Sequence, residues 1–277
     1  MAGSLQGRTL FISGASRGIG LAIGVRAARD GANVALIAKT AEPHPKLEGT
    51  VHTAAEAIEK AGGQALGIVG DIRDEESVAA AVAQTVERFG GIDVCINNAS
   101  AINLSGTLDL PMKRYDLMQD INTRGTFVVS QACLPHLMEA DNPHVLTLSP
   151  PLNLNPPWFS QHVGYTIAKY GMSMVALGIA EEFRDRGVAS NALWPRTMIA
   201  TAAVKNLLGG DAAMARSRRP EIMADAAHAI LCRPARETSG NFFMDDEVLA
   251  EEGITDLSSY GYGDDQTDLQ LDIFLDA

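Results

Sequence analysis

Long apolar runs are missing from this chain. No stretch approaches the ~20 consecutive apolar residues that a membrane-spanning helix needs, so no membrane span is expected. The first residues lack a basic segment leading into a long apolar one, so no signal peptide is expected and the reading is a cytoplasmic protein. Cysteine is scarce. Cys95, Cys133 and Cys232 are odd in number and scattered, with no Cys-x-x-Cys pair. That argues against structural disulfides and zinc, and it suits a reducing compartment. Positive charge is short as well. There are 22 Lys and Arg against 34 Asp and Glu, a net charge of −12, which argues against nucleic acid as the main partner.

Core-forming residues are abundant: 46% of the 277 residues are hydrophobic, enough for one large α/β domain. Short apolar runs at 9–13, 33–38, 65–69, 92–96, 145–148, 189–193 and 241–244 read as buried parallel strands. Helical periods lie between them, at 21–30, 54–61, 75–89, within 115–137, from 165 to about 186, and at 222–231. Glycines such as Gly31, Gly90 and Gly187 stop several of them. This alternation predicts a single-domain, Rossmann-like, doubly wound α/β fold with a mostly parallel seven-stranded sheet flanked by helices. Residues 1–249 are read as the domain and 250–277 as an acidic C-terminal tail. Residues 152–164 read as a loop, and 198–219 as helical fragments that suit a mobile lid. Two readings of the tail stand open. Its Asp residues suit disorder, whereas Leu269, Leu271, Ile273, Phe274 and Leu275 suit a segment docked on the domain or on a neighbouring subunit.

Between the first strand and the first helix lies Gly14-Ala15-Ser16-Arg17-Gly18-Ile19-Gly20. Strand, glycine loop, helix and strand together are the context of a dinucleotide site. The glycines allow a tight turn and close approach to a pyrophosphate, and the helix N-terminus offers amide donors and a favourable dipole. We therefore read Gly14, Ser16, Arg17, Gly18, Ile19 and Gly20 as cofactor-binding. The second strand ends in Ala38-Lys39-Thr40, where an NAD site usually carries a carboxylate for the ribose 2′-hydroxyl. Arg17 and Lys39 without a carboxylate suit a 2′-phosphate, which favours NADP over NAD. His44 and Lys46 are candidates to lie over the adenosine, or are ordinary mobile-loop residues. Asp71, with Ile72, follows the third strand and is a candidate acceptor for the adenine amino group; capping the next helix is the alternative. Asn97-Asn98-Ala99 ends the fourth strand, where carboxamides can tie strands together and small residues let a cofactor lie close.

Tyr165 and Lys169 are four residues apart and share one helix face. A free phenol titrates near ~10. An adjacent ammonium lowers that value, which would equip Tyr165 as a general acid/base near neutrality.

With these pieces in order, the chain resembles the short-chain dehydrogenase/reductase family over about residues 7–248. The matching motifs are Gly14 to Gly20, Asp71, Asn97-Asn98-Ala99, Asn122 to Gly125 and Tyr165 to Lys169. Ala38-Lys39-Thr40, the His44-Pro45-Lys46 loop, the run Ser149-Pro150-Pro151-Leu152-Asn153-Leu154-Asn155-Pro156, Tyr165 to Met172 and Phe274-Leu275-Asp276 are similar to its hydroxysteroid-dehydrogenase-like branch. Some relatives there carry a sterol-carrier-like C-terminal domain, and these 277 residues stop short of one. The resemblance implies hydride transfer between NADP(H) and a carbonyl or alcohol. Tyr165 is the implied acid/base, Lys169 lowers its pKa and bonds the nicotinamide ribose, and Asn122 holds a water in a proton relay. Asn98, Ala99, Pro195, Thr197 and Thr201 would line the cofactor, with Thr201 one place later than the usual pattern. A small-molecule substrate of lipid- or steroid-like character and a homo-oligomer are implied by analogy alone.

The chain departs from the family at the helper serine. Ser149 falls one place early when aligned from the strand, with Pro150 at the expected position; aligned back from Tyr165, that position is Leu152. Ser149, Asn153 or Asn155 are the available replacements. Arg196 replaces a small residue after Pro195, to meet an acidic substrate or to form a surface ion pair. The altered serine keeps a second reading open, an NADP-binding protein with weak or no turnover that acts as a sensor or interaction module.

Overall fold

The computed structural model describes residues 3–43, 48–263, 265 and 267–276. His44, Pro45 and Lys46 lie outside the described residues. Along the chain run β1 (Thr9–Ser13), α1 (Gly18–Ala28), β2 (Asn33–Ala38), α2 (Val51–Lys60), β3 (Gln64–Val69), α3 (Glu75–Phe89) and β4 (Val94–Asn97). There follow α4 (Met112–Met118), α5 (Gly125–Leu137), β5 (His144–Thr147), α6 (Pro157–Ser160), α7 (Val163–Glu182) and β6 (Ala189–Trp194). The chain continues through α8 (Ala202–Leu207), α9 (Gly210–Ala215), α10 (Glu221–Leu231), β7 (Phe242–Met244) and α11 (Asp245–Glu251). Among the described residues the strands form one seven-stranded sheet, ordered β3-β2-β1-β4-β5-β6-β7, with every pairing parallel. The strand order reverses between β1 and β4. In open α/β sheets a crevice opens at the carboxyl ends of the strands at such a switch point.

Alternation along the strands divides the core. Leu10 and Ile12 of β1 face one side, packed with Ile23 and Ala27 of α1, Ile222 of α10 and Val248 of α11. Phe11 faces the other, with Val78 of α3, Val129 of α5 and Ile179 of α7. Successive strand residues point to opposite faces, so one short run serves both layers.

Four local features differ from the sequence expectation. α2 starts at Val51 because Thr50 caps it: its hydroxyl accepts from Thr53 N at 3.1 Å, and Thr53 Oγ1 accepts from Thr50 N at 2.8 Å. The long helix within 115–137 is divided, with α4 and α5 joined by a π-helical turn at Gln119–Arg124. Such turns insert a residue into the helical ladder and recur at functional sites. The stretch 152–164 carries the short helix α6, and α7 begins at Val163. α11 runs across position 249.

His144 opens β5 fully inside the protein. Its Nε2 donates to the Arg233 carbonyl at 3.1 Å, and burial pulls its pKa down to about 4 despite that bond. The unfolded chain takes up this proton near ~6.5, so stability falls as pH drops from there towards 4, by at most about 1.4 kcal/mol per pH unit. His144→Asn is expected to flatten that slope. Urea midpoints measured between pH 6.5 and 4.5 check it; equal slopes in parent and variant would sink the assignment.

Candidate active site

The glycine turn after β1 is built by close approach. Gly14 has φ 71°, and a Cβ there would sit 2.7 Å from the Ala99 Cα. A Cβ on Gly20 would sit 2.5 Å from Asn98 Nδ2. That amide donates to the carbonyls of Ser13 at 3.1 Å and Gly14 at 3.0 Å, tying β4 to the turn. α1 then starts at Gly18 with no side-chain cap on its first amides and no acidic residue in its first turn. Open amides at the positive end of an eleven-residue helix fit a phosphate group. Ser16 is buried beside them, Ile19 packs on the core, and the Thr201 methyl would lie 3.5 Å from a Cβ on Gly18. The turn, Asn98, Ala99 and Thr201 are thus brought together.

At the adenosine end the predicted residues form a charged cluster of their own. Arg73 grips Asp71 with bonds of 2.6–3.0 Å, and Lys39 Nζ lies 3.3 Å from it. The Arg73 guanidinium, more than Lys39, holds the Asp71 carboxyl well below the usual carboxylate range. Asp71 does not cap α3; Asp74 does, accepting from Glu76 N at 3.0 Å. Ile72 is buried. Arg17, at the N-terminus of α1, donates to the carbonyls of Glu48 at 2.8 Å and Gly49 at 2.7 Å. Sequence reasoning did not identify Arg73, whose only signal is its place two residues after Asp71.

On α7, Tyr165, Ala168, Lys169 and Met172 turn inward. Lys169 Nζ donates to the Leu148 carbonyl at 2.6 Å and lies 4.9 Å from the Trp194 ring centroid. Burial pulls its pKa down, against the pull of the nearby Asp272 carboxylate. The spacing of Tyr165 and Lys169 predicts a lowered phenol pKa. The structure places it above the usual range instead, because burial and then the Asp272 charge outweigh a hydrogen bond with Ser100. Burial likewise pushes the Asp272 carboxyl up to about 7, partly offset by its bond from Ile273 N and by Lys169.

Other predicted residues fall around this centre. Asn122 lies in the π-helical turn, where its amide bonds the Ala101 backbone at both ends: its Oδ1 accepts from N at 2.7 Å and its Nδ2 donates to O at 3.0 Å. The Ser149 and Thr197 hydroxyls, just past β5 and β6, are buried and have no partner among the described residues. Two orphaned hydroxyls at the carboxyl ends of adjacent strands fit a ligand that offers polar atoms there. Pro195 is buried with them. Asn153 and Asn155 do not turn to the reaction centre. Both donate to Asp276 of the tail. Arg196 is taken up by Asp246 and Glu247, which settles it as an ion pair.

The tail is the part least visible in sequence. Leu271 bridges Thr197 in antiparallel fashion, Met198 N donates to Gln270 O at 2.9 Å, and Asp272 N donates to Arg196 O at 3.1 Å. Phe274 is fully buried and stacks on Tyr165, with centroids 6.0 Å apart and planes 24° apart. Trp158, His162, Tyr170 and Trp194 close round it at 5.2–6.1 Å. Of the two open readings, docking on the domain is the one the structure has.

The comparisons with known proteins agree with this geometry. Residues 8–210 match the short chain dehydrogenase family. The chain belongs to that family, whose members are oxidoreductases that bind a nicotinamide nucleotide. It is 57% identical to hydroxysteroid dehydrogenase-like protein 2 of Danio rerio over 275 residues, 99% of this chain and 65% of that protein. The chain thus spans about 65% of the length of that curated relative. A crystal structure from Xanthomonas campestris, assigned provisionally as a dehydrogenase, shares 63% identity with a TM-score of 0.95 and covers 99% of this chain and 100% of its own. A short chain dehydrogenase from Mycobacterium thermoresistibile shares 62% identity with a TM-score of 0.93, covering 99% and 97%.

Proposed function

We propose that this chain transfers hydride between NADP(H) and a small carbonyl or alcohol substrate, with Tyr165 as the general acid/base. The observation that carries the reading is the inward face of α7. It turns Tyr165 and Lys169 into the interior, with Lys169 Nζ on the Leu148 carbonyl just past β5, where the Ser149 hydroxyl, like that of Thr197 past β6, has no partner among the described residues. The nicotinamide, when bound, supplies or accepts the hydride. Tyr165 gives its proton to the oxygen as it becomes an alkoxide, or takes it in the reverse direction. Lys169 holds positive charge next to it, which favours the phenolate. Ser149 Oγ is the hydroxyl free to hold the substrate oxygen in place of the usual serine. Gly14, Ser16, Gly18, Ile19 and Gly20 would hold the pyrophosphate, and Pro195, Thr197 and Thr201 the nicotinamide side. An apolar substrate suits the aromatic residues around Tyr165. Assembly into a homo-oligomer is part of the same proposal.

The test is NADPH consumption by the purified protein over a broad carbonyl panel, with cofactor binding measured in the same sample. Consumption of NADPH on any member of the panel supports the reading. Tight binding without turnover would favour the second reading, a cofactor-binding protein with little activity. That reading draws on the burial of Tyr165 under Phe274, with its phenol pushed up.

The cofactor choice has its own test. Lys39 follows the end of β2, Arg17 stands at the start of α1, and no carboxylate lies on that strand's final residues. Lys39→Ala is expected to weaken NADPH about tenfold, the scale of one exposed charge-assisted contact, and to leave NADH unchanged. Equal loss for both cofactors in titration would overturn the NADP assignment.

A further inference from the structure

We propose that residues 271–276 are a self-occupying plug of the reaction pocket, seated on Tyr165 in the resting chain and lifting to admit substrate. The inference rests on the hydride-transfer reading only for what the plug regulates. Its geometry stands apart from it. Phe274 covers the Tyr165 ring, and Tyr165 is only 5% exposed. Phe274 occupies that face of the Tyr165 ring, and a substrate cannot lie there while it does.

The seat is made for release as well as for closure. Phe274 has φ 73°, the single positive φ on a non-glycine among the described residues. An aromatic residue holds that conformation only where its surroundings impose it. Outside the aromatic box the segment is held by single polar contacts, among them Asp272 N to the Arg196 carbonyl and Asn153 Nδ2 to the Phe274 carbonyl, each at 3.1 Å. Leu271 pairs with Thr197 through one isolated bridge. Asp276 is exposed and is latched by amide donors from Asn153 and Asn155 and by Trp158 Nε1 at 3.0 Å. Asp272 is half-buried in the field of Lys169, so lifting the segment also removes the carboxylate whose charge opposes phenolate formation on Tyr165. One movement both uncovers the acid/base and restores the influence of its lysine.

The chain carries its own reporter. It has two tryptophans. Each donates to the segment, Trp158 to Asp276 and Trp194 to the Ile273 carbonyl at 3.1 Å, and each packs on Phe274. Acrylamide quenching of tryptophan emission therefore reads the plug without any turnover. The experiment compares the full chain with Phe274→Ala and with Asp276→Ala. The second variant leaves no cavity and keeps the test alive if the first fails to fold. The plug predicts quenching constants at least twofold higher in a folded variant, an NADPH Kd unchanged, and kcat/KM raised at least threefold through a lower KM. Parent-like quenching in folded variants would overturn it. So would raised quenching with a fall in kcat/KM, because the segment would then be a wall that substrate needs. If no variant turns over any carbonyl, the hydride-transfer reading is what fails, and quenching alone decides whether the segment lifts.

Discussion

Tyr165→Phe is expected to bind NADPH as the parent does and to lose turnover by about 10²–10⁴-fold, the range that a positioned acid/base contributes. The substitution removes one oxygen and keeps the ring. The stack on Phe274 and the edge contact with His162 therefore survive. Stability should change little, because the hydrogen bond that is lost is the single one with Ser100 among the described residues. The pairing of the two measurements gives the test its force. Loss of turnover with cofactor binding intact places the proton at Tyr165. Turnover at the parent level in a folded, cofactor-binding variant would show that the proton comes from elsewhere. The raised pKa of the phenol in the resting chain adds a direction. A high phenol pKa suits proton donation, the reductive direction, and disfavours its use as a base until the Asp272 charge is removed.

Gly14→Val is expected to cost about 2–4 kcal/mol of stability and to abolish nucleotide binding. Position 14 has φ 71°, which costs an L-residue roughly 1–2 kcal/mol before any contact is considered and more for a β-branched one. The new Cβ would meet the Ala99 Cα at 2.7 Å, and that atom is backbone. Either Gly14 or the end of β4 has to move, and the Asn98 amide that bonds the Gly14 carbonyl moves with it. Gly90→Ala is the control. Its φ is 89°, it ends α3, and no atom lies within 4 Å of a Cβ there. It should show the backbone cost of about 1 kcal/mol alone, with NADPH binding retained. Chemical denaturation and an NADPH titration on both variants separate strain from obstruction. If the two variants lost the same stability, the close approach of Gly14 to β4 would carry no weight.

The sheet could be read in the sequence because its signals are local. A buried parallel strand is a short apolar run, and each of the seven lies within two residues of its expected place. The glycine turn was legible for the same reason, since Gly14, Gly18 and Gly20 act through nearby backbone. What stayed hidden depends on distance. The rings round Phe274 come from positions 158, 162, 165, 170 and 194, and no periodicity joins them to 274. The direction of the Tyr165 shift was missed by the same route. Spacing shows the lysine one turn away, but neither the burial nor Asp272, 107 positions later than Tyr165, can be seen in a helix pattern. The π-helical turn at Gln119–Arg124 was also out of reach: its contacts are distant in sequence, Asn122 bonding Ala101 and Thr123 lying against Gly171 of α7.

The switch point between β1 and β4 also sets an order of events in time. Ser13 pairs with Asn97, so the two strands that frame the turn are separated by 97 − 13 = 84 positions. Closing so long a loop comes before any contact that rewards it, and sheets built this way gather slowly, on a scale of roughly milliseconds to seconds. Helices α1 and α2 and the β1–β2 pair can form while that loop is still open. The turn acquires its tether to Asn98 only when β4 docks. In refolding from denaturant, the far-ultraviolet signal should therefore recover first and the capacity to bind a dinucleotide should lag behind it, with the central strand setting the delay.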